Sequence, residues 1–297
     1  MKLGFIGFGE VGFEMSKGFK GAGVEAILAY DVMQAKPVYG ELVAERAAAA
    51  GVTLVASPAE MLGRVDVVMA AVPGSKALET AKGISSYLSR GMLYVDVSAS
   101  APEVKKAIGE EMKAAAVLFV DAAMLGSLPV HQHRVPTLIS GNGSDRLLQI
   151  MAPYGMDLEK ISDVPGDATA IKLVRSIFMK GLPALLTEVL QAASVMKVEQ
   201  LVIESLASTM NATPFEQTLN RLVTANAVHA ERRSYEMKSS IEMLESIGVT
   251  PTMSRATHDK LVWLAAKGLK ERFGGKPPKE WPAVIDALEQ NGGQERP

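Results

Sequence analysis

The sequence of 297 residues contains no cysteine, and its aromatic residues make up only 5% of the chain. The lack of cysteine excludes disulfide bonds, thiolate nucleophiles and cysteine metal ligands, and it fits a reducing compartment. There is also no excess of charge, because 31 basic residues face 33 acidic ones and the formal net charge is −2. No large basic surface is therefore predicted, and we expect a cytoplasmic protein without a nucleic-acid partner.

Uninterrupted apolar runs of membrane-spanning length are missing as well. The most apolar stretch, residues 173–196, is interrupted by Arg175, Lys180 and Glu188. Charges inside a span are costly, so we expect a buried helix here and no membrane segment. The first residues form a predicted strand, which is not typical of a cleavable signal.

The first dozen residues contain the most specific motif of the chain. The apolar segment 2–6 leads into Gly7-Phe-Gly-Glu-Val-Gly12 and then into an amphipathic segment. A G-x-G-x-x-G between a strand and a helix is typical of dinucleotide-binding proteins. Gly7 is expected to allow the tight turn, Gly9 to let the backbone approach a pyrophosphate, and Gly12 to let the helix pack close to the strand. The helix N-terminus would then face the phosphates.

A second predicted strand, Ala26–Tyr30, ends in Asp31. A carboxylate at this distance from the glycines can accept hydrogen bonds from the adenosine ribose hydroxyls, and it would repel a 2′-phosphate. No arginine follows directly, although Lys36 lies close by in the sequence. NAD is therefore favoured as the cofactor, with NADP as the alternative.

Strands and helices alternate through the first half of the chain. Ser57-Pro-Ala-Glu60 has the residues of a capped helix start, and a helix is also predicted over 42–50. Further strands are predicted over 53–56, 65–72, 92–97 and 117–121, and Thr137–Ser140 is expected to close the sheet. After Val164-Pro-Gly166 the spacing of apolar residues becomes that of helices. The fold class is therefore α/β, a Rossmann-type doubly wound parallel sheet followed by an all-α C-terminal domain. We place an NAD(P)-binding domain at 1–164 and a helical substrate and dimerisation domain at 165–297.

The loop after the strand 65–72 is a further part of the expected cofactor site. That run is apolar throughout, as in a strand covered on both faces, and its loop would lie at the carboxyl edge of the sheet. The residues expected to bind the cofactor on these grounds are Gly7, Phe8, Gly9, Glu10, Val11, Gly12, Asp31, Val72 and Pro73.

A polar stripe occurs in the otherwise apolar helix that follows Gly166. Lys172, Arg175, Ser176 and Lys180 are three or four residues apart and share one helical face. The stripe is either a solvent-exposed face or part of a buried helix, and the apolar neighbours between 171 and 178 favour the second interpretation. A lysine that is buried beside other cations has a lowered pKa, which suits general acid/base catalysis. Lys172 is therefore a candidate catalytic residue.

Three features in this order resemble the 3-hydroxyacid dehydrogenases, which are related to 6-phosphogluconate dehydrogenase. They are the glycine loop, Asp121-Ala-Ala-Met-Leu-Gly126-Ser127, and Gly-x5-Lys at 166–172. The resemblance implies a Rossmann domain that binds a nicotinamide cofactor and a helical domain whose lysine moves the hydroxyl proton. Lys172 falls at that lysine, and Ser98 and Pro102 fall in a stretch near the nicotinamide, which adds Ser98 to the cofactor-binding residues.

The sequence departs from the family pattern in the substrate loop, which usually reads D-x-P-V-S-G-G. Ala123 replaces its proline, Leu125 its serine and Ser127 its second glycine. The histidine and asparagine of 6-phosphogluconate dehydrogenase are replaced by Arg175 and Ser176, so oxidative decarboxylation of 6-phosphogluconate is not expected. The usual K-D pair of the C-terminal domain is Tyr235-Glu236 here, which indicates a divergent branch with its own C-terminal domain.

These features together predict an NAD(P)-dependent dehydrogenase or reductase acting on CH–OH donors. The expected substrate is a small 3-hydroxy acid or a related hydroxy or carbonyl compound, with Lys172 as general acid/base. Imine reductase-like C=N reduction and a non-catalytic dinucleotide-binding sensor are the alternatives. The residues expected to contact the substrate are Met124, Gly126, Ser127, Arg175, Ser176, His229 and Arg232.

Two further expectations concern metal binding and assembly. His131 and His133 lie two residues apart but have no evident third ligand nearby, so we expect loop packing rather than a metal site. The helix from Gly166 to Met196 is more apolar than one small domain can cover, which predicts a homodimer.

Overall fold

The computed structural model describes residues 1–292. The chain divides into two compact units, Met1–Ile177 and a second that begins at Phe178. This division falls inside a continuous helix, Asp167–Met196. The first turn of that helix packs with the sheet, because Ala168 is fully buried in a small cluster with Ala123 and Leu138.

Within residues 1–292, eight strands form one sheet. They are β1 (Lys2–Ile6), β2 (Ala26–Tyr30), β3 (Thr53–Leu54), β4 (Val67–Ala70), β5 (Leu93–Asp96), β6 (Leu118–Met124), β7 (Thr137–Ser140) and β8 (Leu158–Ser162). Their order across the sheet is β3-β2-β1-β4-β5-β6-β7-β8. Neighbouring strands run parallel except β6 and β7, which are antiparallel.

Two details of the predicted sheet are wrong. Thr137–Ser140 does not close it, because β8 pairs with β7 and forms the edge. The strand predicted over 117–121 continues to Met124, so this residue belongs to β6 and pairs with Thr137 instead of lying in a loop. Residues 125–136 connect β6 to β7, and this pair is antiparallel in a sheet that is otherwise parallel.

The helices of the first unit cover both faces of the sheet. They are α1 (Glu10–Gly21), α2 (Pro37–Ala50), α3 (Pro58–Leu62), α4 (Ala77–Ile84), α5 (Pro102–Ala114), α6 (Leu128–His131) and α7 (Ser144–Met151). Successive residues of β4 point into different hydrophobic clusters, Val67 and Met69 into one, Val68 and Ala70 into the other. This alternation is the pattern of a strand that is buried on both faces.

Local sequence signals explain two of these helix starts. The Ser57 hydroxyl accepts a hydrogen bond from the Glu60 amide at 3.2 Å, and the Glu60 carboxylate accepts one from the Ala56 amide at 3.1 Å, so the predicted cap of α3 is confirmed. Helix α2 begins earlier than predicted, at Pro37, where the fixed φ of proline suits the first helical position.

The second unit is helical. Its elements are the remainder of α8 (Asp167–Met196), α9 (Glu199–Met210), α10 (Phe215–Ser246), α11 (Thr252–Ala265), α12 (Leu269–Arg272) and α13 (Pro282–Gly292). Its largest cluster joins α10, α11 and α13 through residues such as Ala227, Leu261 and Val284. In the described part of the chain, no helix combines the length and apolarity needed to cross a bilayer.

The apolar residues around Lys172 are not buried within the chain, contrary to the prediction. Val174 and Ile177 expose 68% and 75% of their surface, and Ile171, Leu173 and Phe178 are exposed as well. Apolar residues occur on nearly all sides of this helix, as in a helix that packs against several neighbours. Within a single copy of the described chain, these residues lack the contacts that would bury them.

Candidate cofactor-binding and active site

The glycine turn lies at the point where the sheet reverses its strand order. Strand β1 has β2 on one side and β4 on the other, and the chain crosses between these halves after β3. Ligands bind at the carboxyl ends of the strands at such a switch point. Gly7 has a φ of +85°, and a Cβ there would lie 2.5 Å from the Ala71 carbonyl oxygen. The turns after β1 and β4 therefore approach each other too closely for any side chain at position 7.

The N-terminus of α1 has the properties of an anion site. Gly9 is the N-cap residue, and no side chain of the described residues caps the helix. A Cβ on Gly9 would have no neighbouring atom within 4 Å, whereas one on Gly12 would lie 3.0 Å from the Gly7 carbonyl oxygen. The first turn of the helix is thus open on the side of Gly9 and closely packed on the side of Gly12. Its uncapped amides and helix dipole suit a pyrophosphate. Within the same turn, Glu10 is exposed and Val11 half-buried.

Asp31 is connected to the glycine turn by a hydrogen bond. Its Oδ2 accepts from the Phe8 amide at 2.6 Å, and its Oδ1 accepts from the Met33 amide at 2.8 Å. The Phe8 side chain is fully buried, so this expected cofactor residue serves the core and orients Asp31. A carboxylate has about four acceptor positions, so two amides leave capacity for ribose hydroxyls.

The loops after β4 and β5 meet at the carboxyl ends of these two parallel strands. A Cβ on Gly74 would lie 2.3 Å from the Ala99 carbonyl oxygen, so the two backbones are in direct contact. Val72 is half-buried and Pro73 is exposed. Ser98 is buried, its amide donates to Asp96 Oδ1 at 2.8 Å, and its hydroxyl is 3.4 Å from that of Ser100. The residues expected to bind the cofactor thus come from the loops after β1, β4 and β5, and these three loops are adjacent.

The substrate loop of the resemblance begins at the end of β6. Met124 is half-buried, and the Leu125 amide donates to the Pro136 carbonyl at 2.7 Å, which fixes the start of the loop. Gly126 and Ser127 are exposed. Ser127 precedes α6 but does not cap it with its side chain, so its hydroxyl is not used for helix capping.

Helix α8 is attached to β6 one turn before Lys172. Asp121 accepts hydrogen bonds from the Thr169 amide at 3.0 Å and from the Thr169 hydroxyl at 2.7 Å. Residues three apart share a helical face, so Lys172 lies on the same side of α8 as this anchor. Lys172 and Ser176 are half-buried, whereas Arg175 is exposed.

The remaining predicted substrate residues lie on α10 in the second unit. His229 is half-buried. Arg232 is exposed and forms an ion pair with Glu236 at 2.9 Å, one helical turn further on. The structure thus places five of the predicted substrate residues, 124 to 176, in the first unit and two in the second.

The two histidines of the 131–133 segment have different environments. His131 is exposed, whereas the His133 ring is buried, lies 5.0 Å from the Phe19 ring and has its Nε2 2.8 Å from the Tyr154 carbonyl oxygen. Burial lowers the pKa of His133 and thus favours its neutral form. Its contacts are those of a side chain that packs α1 against the loop after α6.

Sequence reasoning missed one charged residue near the site, Lys105. Its side chain is fully buried on α5, on the face that also buries Ile108 and Met112. A lysine in phase with core positions of an amphipathic helix was the available signal. Lysine is almost never fully buried unless it is paired.

The family was established by comparison with known proteins. The model of the NAD binding domain of 6-phosphogluconate dehydrogenase matches residues 2–154, more than half of the chain. The chain belongs to this family. Its first unit is an NAD-binding domain of Rossmann type, and the glycine turn, the open helix start and Asp31 fit a dinucleotide. Residues 193–264 match a second family, described as a domain of unknown function.

The relatives of the chain place it among the 3-hydroxyacid dehydrogenase-like proteins. An uncharacterised protein of Methanothermus fervidus is 28% identical over 261 residues, which are 86% of this chain and 96% of that protein. Mouse mitochondrial 3-hydroxyisobutyrate dehydrogenase is 30% identical over 147 residues, 48% of this chain and 42% of the enzyme. The chain thus spans less than half of the mouse enzyme's length.

Solved structures agree with this grouping. A conserved protein of unknown function, described as structurally similar to 3-hydroxyacid dehydrogenases, is 30% identical with a TM-score of 0.59, covering 90% of this chain and 99% of that one. An imine reductase of Myxococcus stipitatus in complex with NADP+ has a TM-score of 0.73 at 13% identity, covering 97% and 100%. At that identity the second likeness is one of fold.

Proposed function

We propose that the protein transfers hydride between a nicotinamide cofactor and a small 3-hydroxy acid or related hydroxy or carbonyl compound, with Lys172 as general acid/base. The observation that carries this proposal is the attachment of α8. Thr169 is hydrogen-bonded to Asp121 one turn before Lys172, at the edge of the sheet that also bears the glycine turn and the Ser98 loop.

The proposed chemistry assigns one proton to Lys172. A nicotinamide cofactor held by the glycine turn, Asp31 and the Ser98 loop would supply the hydride acceptor, or the hydride donor in the reverse direction. The neutral amine of Lys172 takes the hydroxyl proton as hydride leaves the same carbon, and its ammonium form returns that proton to the alkoxide in reverse.

The anionic end of the substrate requires donors. The Gly126 amide and the exposed Ser127 hydroxyl are the proposed donors in the first unit, and Met124 and Ser176 are proposed further substrate contacts. His229 and Arg232 of α10 remain predicted substrate residues, and Arg232 is paired at the surface with Glu236.

Replacement of Lys172 by alanine tests the proposed role. Proton transfer by a positioned side chain contributes about 10²–10⁴-fold to a rate, so kcat/KM of Lys172→Ala is expected to fall by that factor. The formation of NADH from NAD is followed by absorbance over a panel of 3-hydroxy acids. Lys113→Ala removes an exposed lysine at the end of α5 and is the matched control. A Lys172→Ala enzyme that keeps the turnover of wild type would exclude the mechanism.

Reduction of C=N bonds is the second candidate, favoured by the substrate loop. Leu125 stands where the family has a hydroxyl, so the loop is less suited to grip a carboxylate. Carbonyl compounds supplied with an amine and NADPH or NADH, and analysed for amine product by mass spectrometry, distinguish this reaction from alcohol formation. Tight NADH binding without turnover in either panel would instead support the sensor.

Two finer assignments belong to the same proposal. The oriented carboxylate of Asp31 favours NAD over NADP, since a 2′-phosphate beside it would be repelled. The exposed apolar surface of α8 and α9 is proposed to be covered by a second copy of the chain, which makes the protein a homodimer.

A further inference from the structure

A buried ion cluster lies where β5, β6 and α8 meet. Asp96 is the last residue of β5, and it pairs in register with Asp121 of β6. The ammonium group of Lys105, from α5, is 3.4 Å from Asp96 Oδ2 and 3.2 Å from Asp121 Oδ1. It also donates to the Asp96 carbonyl at 3.0 Å. All three side chains are fully buried.

The two carboxylates connect this cluster to the parts of the candidate site. Asp96 accepts the Ser98 amide, which holds the loop expected near the nicotinamide. Asp121 accepts the amide and hydroxyl of Thr169, which hold the start of α8. The Ser140 hydroxyl, 3.4 Å from Asp121, in turn accepts the Ala168 amide at 3.1 Å.

Backbone packing ties α5 to the same place. Gly166, just before α8, has a φ of +98°, and a Cβ there would lie 2.8 Å from the Pro102 carbonyl oxygen. A Cβ on Gly109 of α5 would lie 2.7 Å from the Pro165 ring. The first and second turns of α5 are therefore in direct contact with the segment that leads into α8.

We propose that Lys105 is a positioning residue that sets the Ser98 loop and the start of α8 in register with each other. Its ammonium group holds two carboxylates together, and each carboxylate fixes the backbone amide of one of these segments. Lys172 lies one turn beyond Thr169, so the register of α8 also determines where its amine lies. The consequence for turnover rests on the proposed function of Lys172, whereas the consequence for the two segments does not.

Hydrogen exchange of the full-length chain tests the structural part without any substrate. In Lys105→Met, two buried carboxylates lose the cation between them, and exchange is expected to accelerate in residues 96–101 and 167–172. Residues 2–12 of the glycine turn are held by other contacts and are expected to exchange as in wild type. Lys106→Met is the matched control, since the adjacent lysine is exposed and pairs with Glu103 at 2.8 Å. Uniform acceleration over all segments, or none, would overturn the proposal.

Cofactor binding separates positioning from general loss of structure. ADP-ribose lacks the nicotinamide and is expected to bind only at the glycine turn and Asp31. We expect Lys105→Met to raise the dissociation constant of NADH by about tenfold, the effect of one weakened hydrogen-bonded contact, and to leave that of ADP-ribose unchanged. Equal weakening of both ligands would contradict the assignment.

A second variant tests the proposal even if Lys105→Met fails to fold. Thr169→Val serves this purpose because it keeps every charge of the cluster. It removes only the hydroxyl bond to Asp121, so we expect kcat to fall by about tenfold while NADH binding is unchanged. Normal turnover in Thr169→Val would overturn the link between the cluster and α8. If Lys172→Ala keeps its activity, the proposed function fails, yet the exchange and ligand-binding results for Lys105 still decide the positioning of the two segments.

Discussion

The carboxylate of Asp31 orients the glycine turn and is also proposed to bind the cofactor. Both interactions use the same two oxygens. The carboxylate is buried, it orients the glycine turn through the Phe8 amide, and it is proposed to accept hydrogen bonds from the adenosine ribose of the cofactor. In Asp31→Asn one of the two amides, of Phe8 or Met33, meets an NH2 group instead of an acceptor. We expect NADH to bind about tenfold more weakly, and the preference for NADH over NADPH to narrow because the repelling charge is lost.

Fluorescence titration with both reduced cofactors measures this change. Asp66→Asn is the control, since Asp66 also accepts a backbone amide, that of Lys2 at 2.8 Å, but lies exposed before the amino end of β4. If Asp31→Asn kept the NADH-to-NADPH ratio of wild type, Asp31 would have no part in the choice of cofactor.

Residues whose task depends on local spacing could be predicted from the sequence. The turn at Gly7 and the position of Asp31 both follow from short motifs around one strand end. The helical spacing of Lys105 with Ile108 and Met112 indicates burial, but its partners could not be predicted, because they come from separate strands and the contact between Asp121 and Thr169 joins residues 48 positions apart. Pairing of a buried lysine is a property of tertiary structure, and no motif describes it.

At the scale of elements, periodicity and capping signals located most helices and central strands. Strand β2 and the cap of α3 are local features with strong composition, and both were predicted at their observed bounds. Strand β8 was missed because Leu158-Glu-Lys-Ile-Ser mixes charged and apolar residues at an only partly buried edge. The apolar pattern of α8 predicts burial, but it does not indicate whether the same chain or another molecule covers the helix. The prediction of burial within one chain is wrong for this reason.

Glu188 of α8 holds the N-terminus of α11. Its carboxylate accepts the amides of Met253 at 2.7 Å and Ser254 at 2.9 Å, and the Ser254 hydroxyl at 2.6 Å. Burial raises the pKa of Glu188, but these hydrogen bonds outweigh it and lower the pKa below its ordinary value of 4.5. A carboxylate at the positive end of a helix is a stabilising arrangement.

A lowered pKa in the folded state makes this contribution depend on pH in one direction. The stabilisation is complete above the unfolded-state value near 4.5 and is lost as the pH falls through the lower folded value. Glu188→Gln is therefore expected to reduce the free energy of unfolding by about 1–3 kcal/mol at neutral pH, with the difference from wild type shrinking below pH 4.5.

Urea unfolding of the full chain at a series of pH values gives this difference directly. Glu242→Gln, at an exposed position of α10, is the control and is expected to behave as wild type. A Glu188→Gln deficit of equal size at every pH would indicate lost packing in place of a lost charge.

At the scale of the whole molecule, the second unit exposes many large apolar residues. None of the residues of α9, all of which the structure describes, is buried. Leu201 and Ile203 expose 68% and 46% of their surface, and Leu185, Leu186 and Leu190 of α8 are exposed too. A helix of this length is marginal in water by itself, so its order requires a partner surface.

A second copy is the simplest partner, because an isologous contact lets the same apolar face cover itself. We expect a particle of twice 31.6 kDa, about 63 kDa, by light scattering coupled to size exclusion. Leu201→Glu places a charge in that face, where it would be desolvated without a counterion, and is expected to give monomers. Val130→Glu, at a residue of α6 that is 73% exposed, should leave the dimer intact. A wild-type chain that stays monomeric at micromolar concentration would exclude a second copy as the partner of α9.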